Sequence, residues 1–256
     1  MDIYLFSIVI LIFGFLSIAF AFRHPYSNDK ILSRSKKTDY SLLLAASLII
    51  FLIIYSEIKY KFLGDKIGFE VLFFSFLLLI LAYIFDHIIL LSIALTGLAT
   101  SIEFIINPSD LLNPISFDNS ETIFSILFGI SLVLVAKNLE FRKIKMHFTF
   151  TYFNFAANII FLYGLMGVIQ SKDKILYFLV LLFSSLYFIK FSLLEKTKFF
   201  FLMSVFYPYI GFTYLMFHLF IKPERLNLIA YLLLSLIGFL FLHFKTKNRF
   251  LESEKK

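Results

Sequence analysis

The chain reads FEVLFFSFLLLILAYIF from Phe69 to Phe85 and, after only Asp86 and His87, IILLSIALTGLATSIEFII from Ile88 to Ile106. A helix needs about 20 predominantly apolar residues to cross the hydrocarbon core of a bilayer, which is roughly 30 Å thick. Each run is close to that length, and both residues between the runs are polar. The pair therefore predicts two membrane-spanning helices joined by a tight turn.

Similar apolar runs fill most of the chain between Ile3 and Phe244. They predict an all-α fold, a polytopic transmembrane helical bundle of about nine spans, with eight spans as the alternative. The predicted spans are Ile3–Phe22, Ser41–Ile58, Phe69–Phe85, Ile88–Ile106, Glu121–Lys137, Phe148–Ile169, Ile175–Phe191, Phe199–Ile221 and Leu228–Phe244. No stretch between them is long enough to bury a core of its own. Residues 1–256 are thus predicted to form a single integral membrane domain with a short basic cytoplasmic tail at residues 245–256.

The composition favours a membrane protein over a soluble one. Hydrophobic residues make up 60% of the chain, charged residues make up 16%, and the mean hydropathy is +0.89. A soluble domain is typically about 45–50% apolar and about 25% charged. The chain has no Cys, which excludes disulfides, thiolate metal ligands and a Cys nucleophile. The net charge of +7 comes from basic residues at loop edges, so we expect membrane lipids and no nucleic acid as partners.

The distribution of basic residues predicts the orientation. When the N-terminus is placed outside, 17 basic residues fall on the cytoplasmic side and 7 on the other. Deleting the fifth span, or merging the third and fourth, lowers that split to 15 against 9. Because cytoplasmic loops carry an excess of Lys and Arg, nine spans with the C-terminus in the cytoplasm are favoured.

Three predicted spans carry polar residues on one helical face. The sixth has Thr151, Asn154 and Asn158 at i, i+3 and i+7, and the fourth has a small-polar stripe that ends at Glu103. On the eighth span, Pro208 predicts a kink or a freed carbonyl beside its polar aromatic face. Such residues either line a ligand path or form interhelical hydrogen bonds. The candidate ligand-binding residues are Asn154, Asn158, Ser204, Tyr207, Tyr214, His218 and Glu103.

The sequence contains none of the usual catalytic signatures. It has no phosphate-binding glycine loop, no His-Glu-x-x-His and no Gly-x-Ser-x-Gly, so no catalytic residue, metal ligand or cofactor is predicted. Four of the five histidines map to cytoplasmic helix ends, where imidazoles at one depth could hold a metal ion or haem. They are His24, His87, His147 and His243, while His218 maps to the outside. No His-x-x-x-His or Glu-x-x-His pair supports that arrangement.

Two segments resemble a known group of proteins. One is the hairpin Leu77–Phe104, which turns at Phe85-Asp86-His87 and returns through Ser92-Ile93-Ala94-Leu95-Thr96-Gly97. The other is His147-Phe148-Thr149-Phe150-Thr151-Tyr152 with Asn158 and Gly164 downstream. Together they resemble an uncharacterised bacterial multi-pass membrane protein family, a domain of unknown function, over about the middle 100 residues. The resemblance implies a bacterial inner membrane location and assigns no site residue.

Three functions from different classes are compatible with these features. The first is a non-enzymatic subunit or accessory factor of a membrane complex, bound to another membrane protein or to further copies of itself. The second is a small transporter or lipid-handling protein with a polar cavity between the fourth, sixth and eighth spans. The third is a membrane-embedded enzyme or redox carrier. We favour the first because every polar feature has a packing explanation.

Overall fold

A computed structural model describes residues 19, 40–48, 50, 51, 55, 67–106, 119–219, 235 and 238. Residues 40–48 are helical, and six long helices follow. They are α1 (Ile67–Phe85), α2 (Ile88–Ile106), α3 (Asn119–Arg142), α4 (Met146–Gln170), α5 (Lys174–Glu195) and α6 (Lys198–Leu219). No strand occurs among the described residues. The all-α prediction is confirmed for this part of the chain.

The third to eighth predicted spans each fall on one of these helices. The fourth has the predicted bounds, and the fifth, predicted as Glu121–Lys137, is the longer helix α3 of 24 residues. The first and ninth spans and the basic tail lie outside the described residues apart from single positions, and so do seven of the 18 residues of the second span and the last two of the eighth. All six helices are long and apolar enough to cross a membrane.

The predicted tight turn between α1 and α2 is present. Asp86 adopts a positive φ of 56°, and the His87 amide donates to the Ala82 carbonyl at 3.0 Å. The buried His87 ring accepts a hydrogen bond from the Leu90 amide through Nδ1 at 3.2 Å. This contact satisfies one of the amide groups that every helix leaves free at its start. His87 therefore caps α2.

The helices expose many large apolar side chains, and their buried stripes combine apolar residues with small polar ones. On α5 the buried stripe is Tyr177, Leu181, Ser185, Phe188 and Ser192. The exposed face of the same helix carries large apolar residues, among them Ile175, Leu176, Leu179, Phe183, Leu186 and Leu194. The outer face of a helix in a soluble protein carries charged and polar residues instead. The pattern is compatible with an integral membrane protein whose outer surface is solvated by lipid.

The chain divides into two compact units. The first unit comprises Met1–Ser116 and Leu134–Phe153, and the second comprises Phe117–Val133 and Asn154–Lys256. Helices α3 and α4 therefore contribute residues to both units. Large buried aromatic rings lie in the core of the second unit, where Phe188 contacts Phe161 and Phe200 with ring centroids 5.6 and 5.8 Å away.

Candidate functional site

The two amides predicted on α4 are bonded to each other. Asn158 Nδ2 donates to the Asn154 backbone oxygen at 2.8 Å and to Asn154 Oδ1 at 3.0 Å. Both side chains are half-buried in the second unit. Because one side-chain amide oxygen and one N–H are already engaged within the helix, the pair offers less to a ligand than two independent amides would.

Pro208 has the effect that the sequence predicts on the backbone of α6. Proline has no N–H, so the carbonyl four residues earlier, that of Ser204, loses its helical donor. Ser185 on α5 replaces that donor, since its hydroxyl donates to the Ser204 carbonyl. The Ser204 hydroxyl itself donates to the Phe200 carbonyl at 2.6 Å, and both serines are buried. The predicted site residue Ser204 thus forms part of an α5–α6 contact.

Tyr207 is also engaged in packing. Its ring stacks on Phe161 of α4, with centroids 5.5 Å apart and an angle of 16° between the ring planes. Offset-stacked rings at this distance are a favourable aromatic geometry. The aromatic face of α6 therefore contacts α4 at this position.

Tyr214 and His218 lie at the end of α6 beside the connection between α4 and α5. Tyr214 donates to the Ile169 carbonyl at 2.9 Å, and Lys174 Nζ donates to the same carbonyl at 2.7 Å. The Lys174 ammonium lies 5.1 Å from the centre of the Tyr214 ring, and the His218 ring stacks on the same Tyr214 ring with centroids 5.7 Å apart. The contacts join three helix ends and satisfy a carbonyl that the end of α4 leaves free.

Glu103 belongs to α2 in the first unit, whereas the other six predicted residues belong to the second. The small-polar stripe that leads to it is bonded within its own helix. The hydroxyls of Ser92, Thr96 and Thr100 each donate to the carbonyl four residues earlier, at 2.9 to 3.1 Å. This is the usual way in which Ser and Thr satisfy themselves inside a helix.

A polar cluster that the sequence analysis did not predict lies in the first unit. Asp86 Oδ1 accepts from Lys145 Nζ at 2.6 Å and lies 3.0 Å from His147 Nε2. Lys145 also donates to the Tyr83 carbonyl at 2.7 Å, and the hydroxyls of Tyr83 and Tyr152 are 2.9 Å apart. The cluster connects the α1–α2 turn to the α3–α4 turn. Its only signal in the sequence is that each turn carries charged residues.

A cleft of about 410 Å³ lies in the second unit where α4 ends and α5 begins. Its polar lining consists of Asn119, Thr122, Gln170, Ser171, Lys172 and Asp173. Asn119 Oδ1 accepts hydrogen bonds from Tyr177 and, at 3.3 Å, from Ser171, which fixes the start of α3 against α4 and α5. None of the seven predicted residues lines this cleft. The polar run Gln170–Asp173 is the signal that could have identified it.

Each histidine among the described residues has a contact of its own. His87 caps α2, His147 lies against Asp86, and His218 stacks on Tyr214 in the other unit. His24 and His243 lie outside the described residues. In that part of the chain, no three His, Cys, Asp or Glu side chains form a group that could hold a metal ion.

Comparison with protein-family models, with curated proteins and with solved structures finds no match for this chain.

Proposed function

We propose that the chain is a multi-pass protein of a bacterial inner membrane, with nine spans, its N-terminus outside and its C-terminus in the cytoplasm. The charges at the described helix ends support the orientation. Between residues 119 and 219, seven basic residues lie toward the α3–α4 and α5–α6 connections, and two lie at the α4–α5 connection. Consecutive spans alternate in direction, so the first two connections share the cytoplasmic side. The bacterial location rests on the resemblance stated above.

Within that membrane, the chain acts as a non-enzymatic subunit or accessory factor of a membrane complex. The observation that carries this proposal is the engagement of the polar residues on α4 and α6 in contacts with the protein itself. Asn158 bonds Asn154, Ser185 bonds the Ser204 carbonyl, and Tyr214 bonds the Ile169 carbonyl. The Ser185 and Tyr214 contacts fix helices against each other, as interhelical polar contacts in membranes do, and the Asn158–Asn154 bond engages both amides within α4.

The exposed surface supplies the area that a partner needs. Exposed side chains include Phe141, Leu134, Phe183 and Leu194, with 65–88% of each accessible. Lipid covers such residues in a membrane, and so does a second membrane protein or a further copy of this chain. These side chains lie on α3 and α5, so a membrane protein could bind either helix through apolar contacts.

A transporter or lipid-handling protein with a cavity between the fourth, sixth and eighth spans is the second candidate. It requires Asn154, Asn158, Tyr207 and Glu103 to face a ligand, and the protein contacts of the first three give it less support. The embedded enzyme or redox carrier has the least support, because the described histidines are engaged separately.

The test compares Asn158→Leu and Tyr214→Phe with the parent chain in cells that show a growth defect when the gene is deleted. The accessory role predicts less folded protein in each variant, while each remaining folded molecule still complements and still co-purifies the same partner at the same stoichiometry. Normal amounts of folded protein with lost complementation would favour the transport function instead. Native mass spectrometry on gently extracted membranes gives the stoichiometry.

A further inference from the structure

The α4–α5 cleft carries one charge of each sign. Lys172 and Asp173 are adjacent and exposed, and together they make the cleft electrically balanced. Within the part of the chain that the structure describes, neither side chain forms an ion pair. Asp173 occupies the position that caps α5, yet its carboxylate makes no capping hydrogen bond. A carboxylate at that position usually binds a helix amide, so this one remains available to an external cation.

The wall of the cleft is preorganised. Asn119 is fixed by Tyr177 and Ser171, and the Ser171 hydroxyl accepts a hydrogen bond from the Asp173 amide at 3.1 Å. Lys174 does not line the cleft, and its ammonium group is engaged by the Ile169 carbonyl. The lining therefore combines fixed amide and hydroxyl groups with two charges that are free to move toward a ligand. The volume of about 410 Å³ is within the usual range for small-molecule sites.

Apolar surface begins at the edge of the cleft. Ile175 and Leu176 follow Asp173 on α5 and are 63% and 59% exposed. Ile123 and Phe124 follow Thr122 on α3 and are 45% and 56% exposed. A molecule with its polar group in the cleft could therefore lay a hydrocarbon chain along either helix. Apolar contact of this kind, next to a few placed polar groups, is the general form of a lipid or ligand site.

We propose that the cleft binds the headgroup of a zwitterionic phospholipid, with Lys172 contacting the phosphate, Asp173 contacting the ammonium group, and an acyl chain lying along the exposed faces of α3 and α5. The balanced charges favour a zwitterion, because an anionic lipid would meet the Asp173 carboxylate without a compensating cation. The site goes beyond the accessory role. It depends on the membrane embedding proposed above and not on the identity of any partner.

The experiment measures lipid retention by native mass spectrometry. Purified full-length protein is incubated with equal amounts of phosphatidylethanolamine and phosphatidylglycerol that carry the same acyl chains. We expect the parent protein to retain the zwitterionic lipid roughly fivefold more than the anionic one, as expected for two exposed charge contacts. The double variant Lys172→Gln with Asp173→Asn should lose that preference. Asp173→Asn alone should shift the preference toward phosphatidylglycerol, because it leaves a net positive cleft.

The matched control is Glu195→Gln with Lys196→Gln. These residues form the same kind of adjacent charge pair at the other end of α5, outside the cleft, and the control should retain the parent preference. All four side chains are exposed, so the variants should fold, and thermal unfolding in detergent checks this. The proposal is overturned if the parent protein shows no preference or if the double variant keeps it. Displacement of the lipid by an equal concentration of glycerophosphoethanolamine would also overturn it, because the site would then belong to a free solute.

Discussion

At the scale of single residues, Pro208 shows how a sequence feature becomes a tertiary contact. The sequence predicts that a proline inside a span frees a carbonyl, and its position identifies that carbonyl as Ser204. The structure adds the donor, Ser185, which lies 19 residues earlier on the preceding helix. No local pattern could have identified Ser185, because its role depends on which helices are neighbours and on their rotation.

Ser185→Ala should destabilise the protein by about 1 kcal/mol, because it leaves a buried carbonyl without a donor. In a Pro208→Ala background the amide of residue 208 can donate to the Ser204 carbonyl. Adding Ser185→Ala to that background should therefore lower the stability clearly less. Thermal unfolding of the four proteins in one detergent measures this coupling. The control is Ser131→Ala, since the exposed Ser131 hydroxyl donates only to the Phe128 carbonyl of its own helix. Equal costs in both backgrounds would contradict the role of Ser185.

Lys145 is the second residue whose role depends on a distant partner. In the sequence it is only one of the 17 basic residues predicted on the cytoplasmic side. In the first unit it bonds Asp86, 59 residues earlier in the chain, and the Tyr83 carbonyl. Both charged side chains are partly buried, with 26% and 11% of Lys145 and Asp86 accessible.

Lys145→Gln should destabilise the protein by about 1–2 kcal/mol, since it removes a charge-assisted hydrogen bond and leaves a partly buried carboxylate. The matched control is Lys143→Gln. Lys143 has a similar positive φ, 55° against 47°, but is exposed, so the control isolates the Asp86 contact from any backbone effect. Differential scanning fluorimetry measures the loss of stability of both variants relative to the parent protein. If Lys143→Gln is as unstable as Lys145→Gln, the loss of stability comes from the turn and not from the contact with Asp86.

At the scale of elements, the apolar runs predict the six described helices but not always their ends. The sequence predicts that the fifth span ends at Lys137, where the charges begin, yet α3 continues to Arg142. Lys137 is accommodated there because its ammonium bonds Glu140 at 2.6 Å and lies 5.3 Å from the centre of the Phe153 ring. Hydropathy measures the part of a helix that lipid can cover, and a helix can extend beyond it.

Glycines determine how closely the helices of the second unit approach each other. A Cβ at Gly167 of α4 would lie 2.4 Å from the Tyr177 ring of α5. A Cβ at Gly211 of α6 would lie 3.2 Å from Leu181, and one at Gly238 would meet nothing within 4 Å. Small residues allow membrane helices to pack closely. An added methyl group should therefore destabilise the protein more where the neighbouring atom is nearer.

Substituting alanine at these three positions should destabilise the protein in the order Gly167, Gly211, Gly238. Gly167→Ala should cost about 1–3 kcal/mol, the usual range for overpacking, because the ring of Tyr177 has to move. Gly211→Ala should cost less, and Gly238→Ala should have no packing cost. The midpoint of unfolding in a denaturing detergent titration ranks them. A different order would contradict the packing of α4, α5 and α6.

At the scale of the whole molecule, composition and periodicity predict the class, whereas the site required three-dimensional information. The described helices and their outward apolar surfaces follow from hydrophobic runs of the right length. The α4–α5 cleft does not, because the residues around it come from positions about 50 apart, such as Asn119 and Ser171. The seven predicted residues are polar side chains within predicted spans, and residues of that kind are also the ones that pack membrane helices together.

The most direct test of the membrane embedding uses single cysteines, because the chain has no native Cys. Lys172→Cys and Asp2→Cys should react with a membrane-impermeant maleimide in intact cells, whereas Lys143→Cys and Ser253→Cys should react only after the membrane is opened. This result would place the α4–α5 and α3–α4 connections on opposite sides and the two termini on opposite sides, as an odd number of spans requires. Equal labelling of Lys143→Cys and Lys172→Cys in intact cells would contradict the account, since α4 would not cross the membrane.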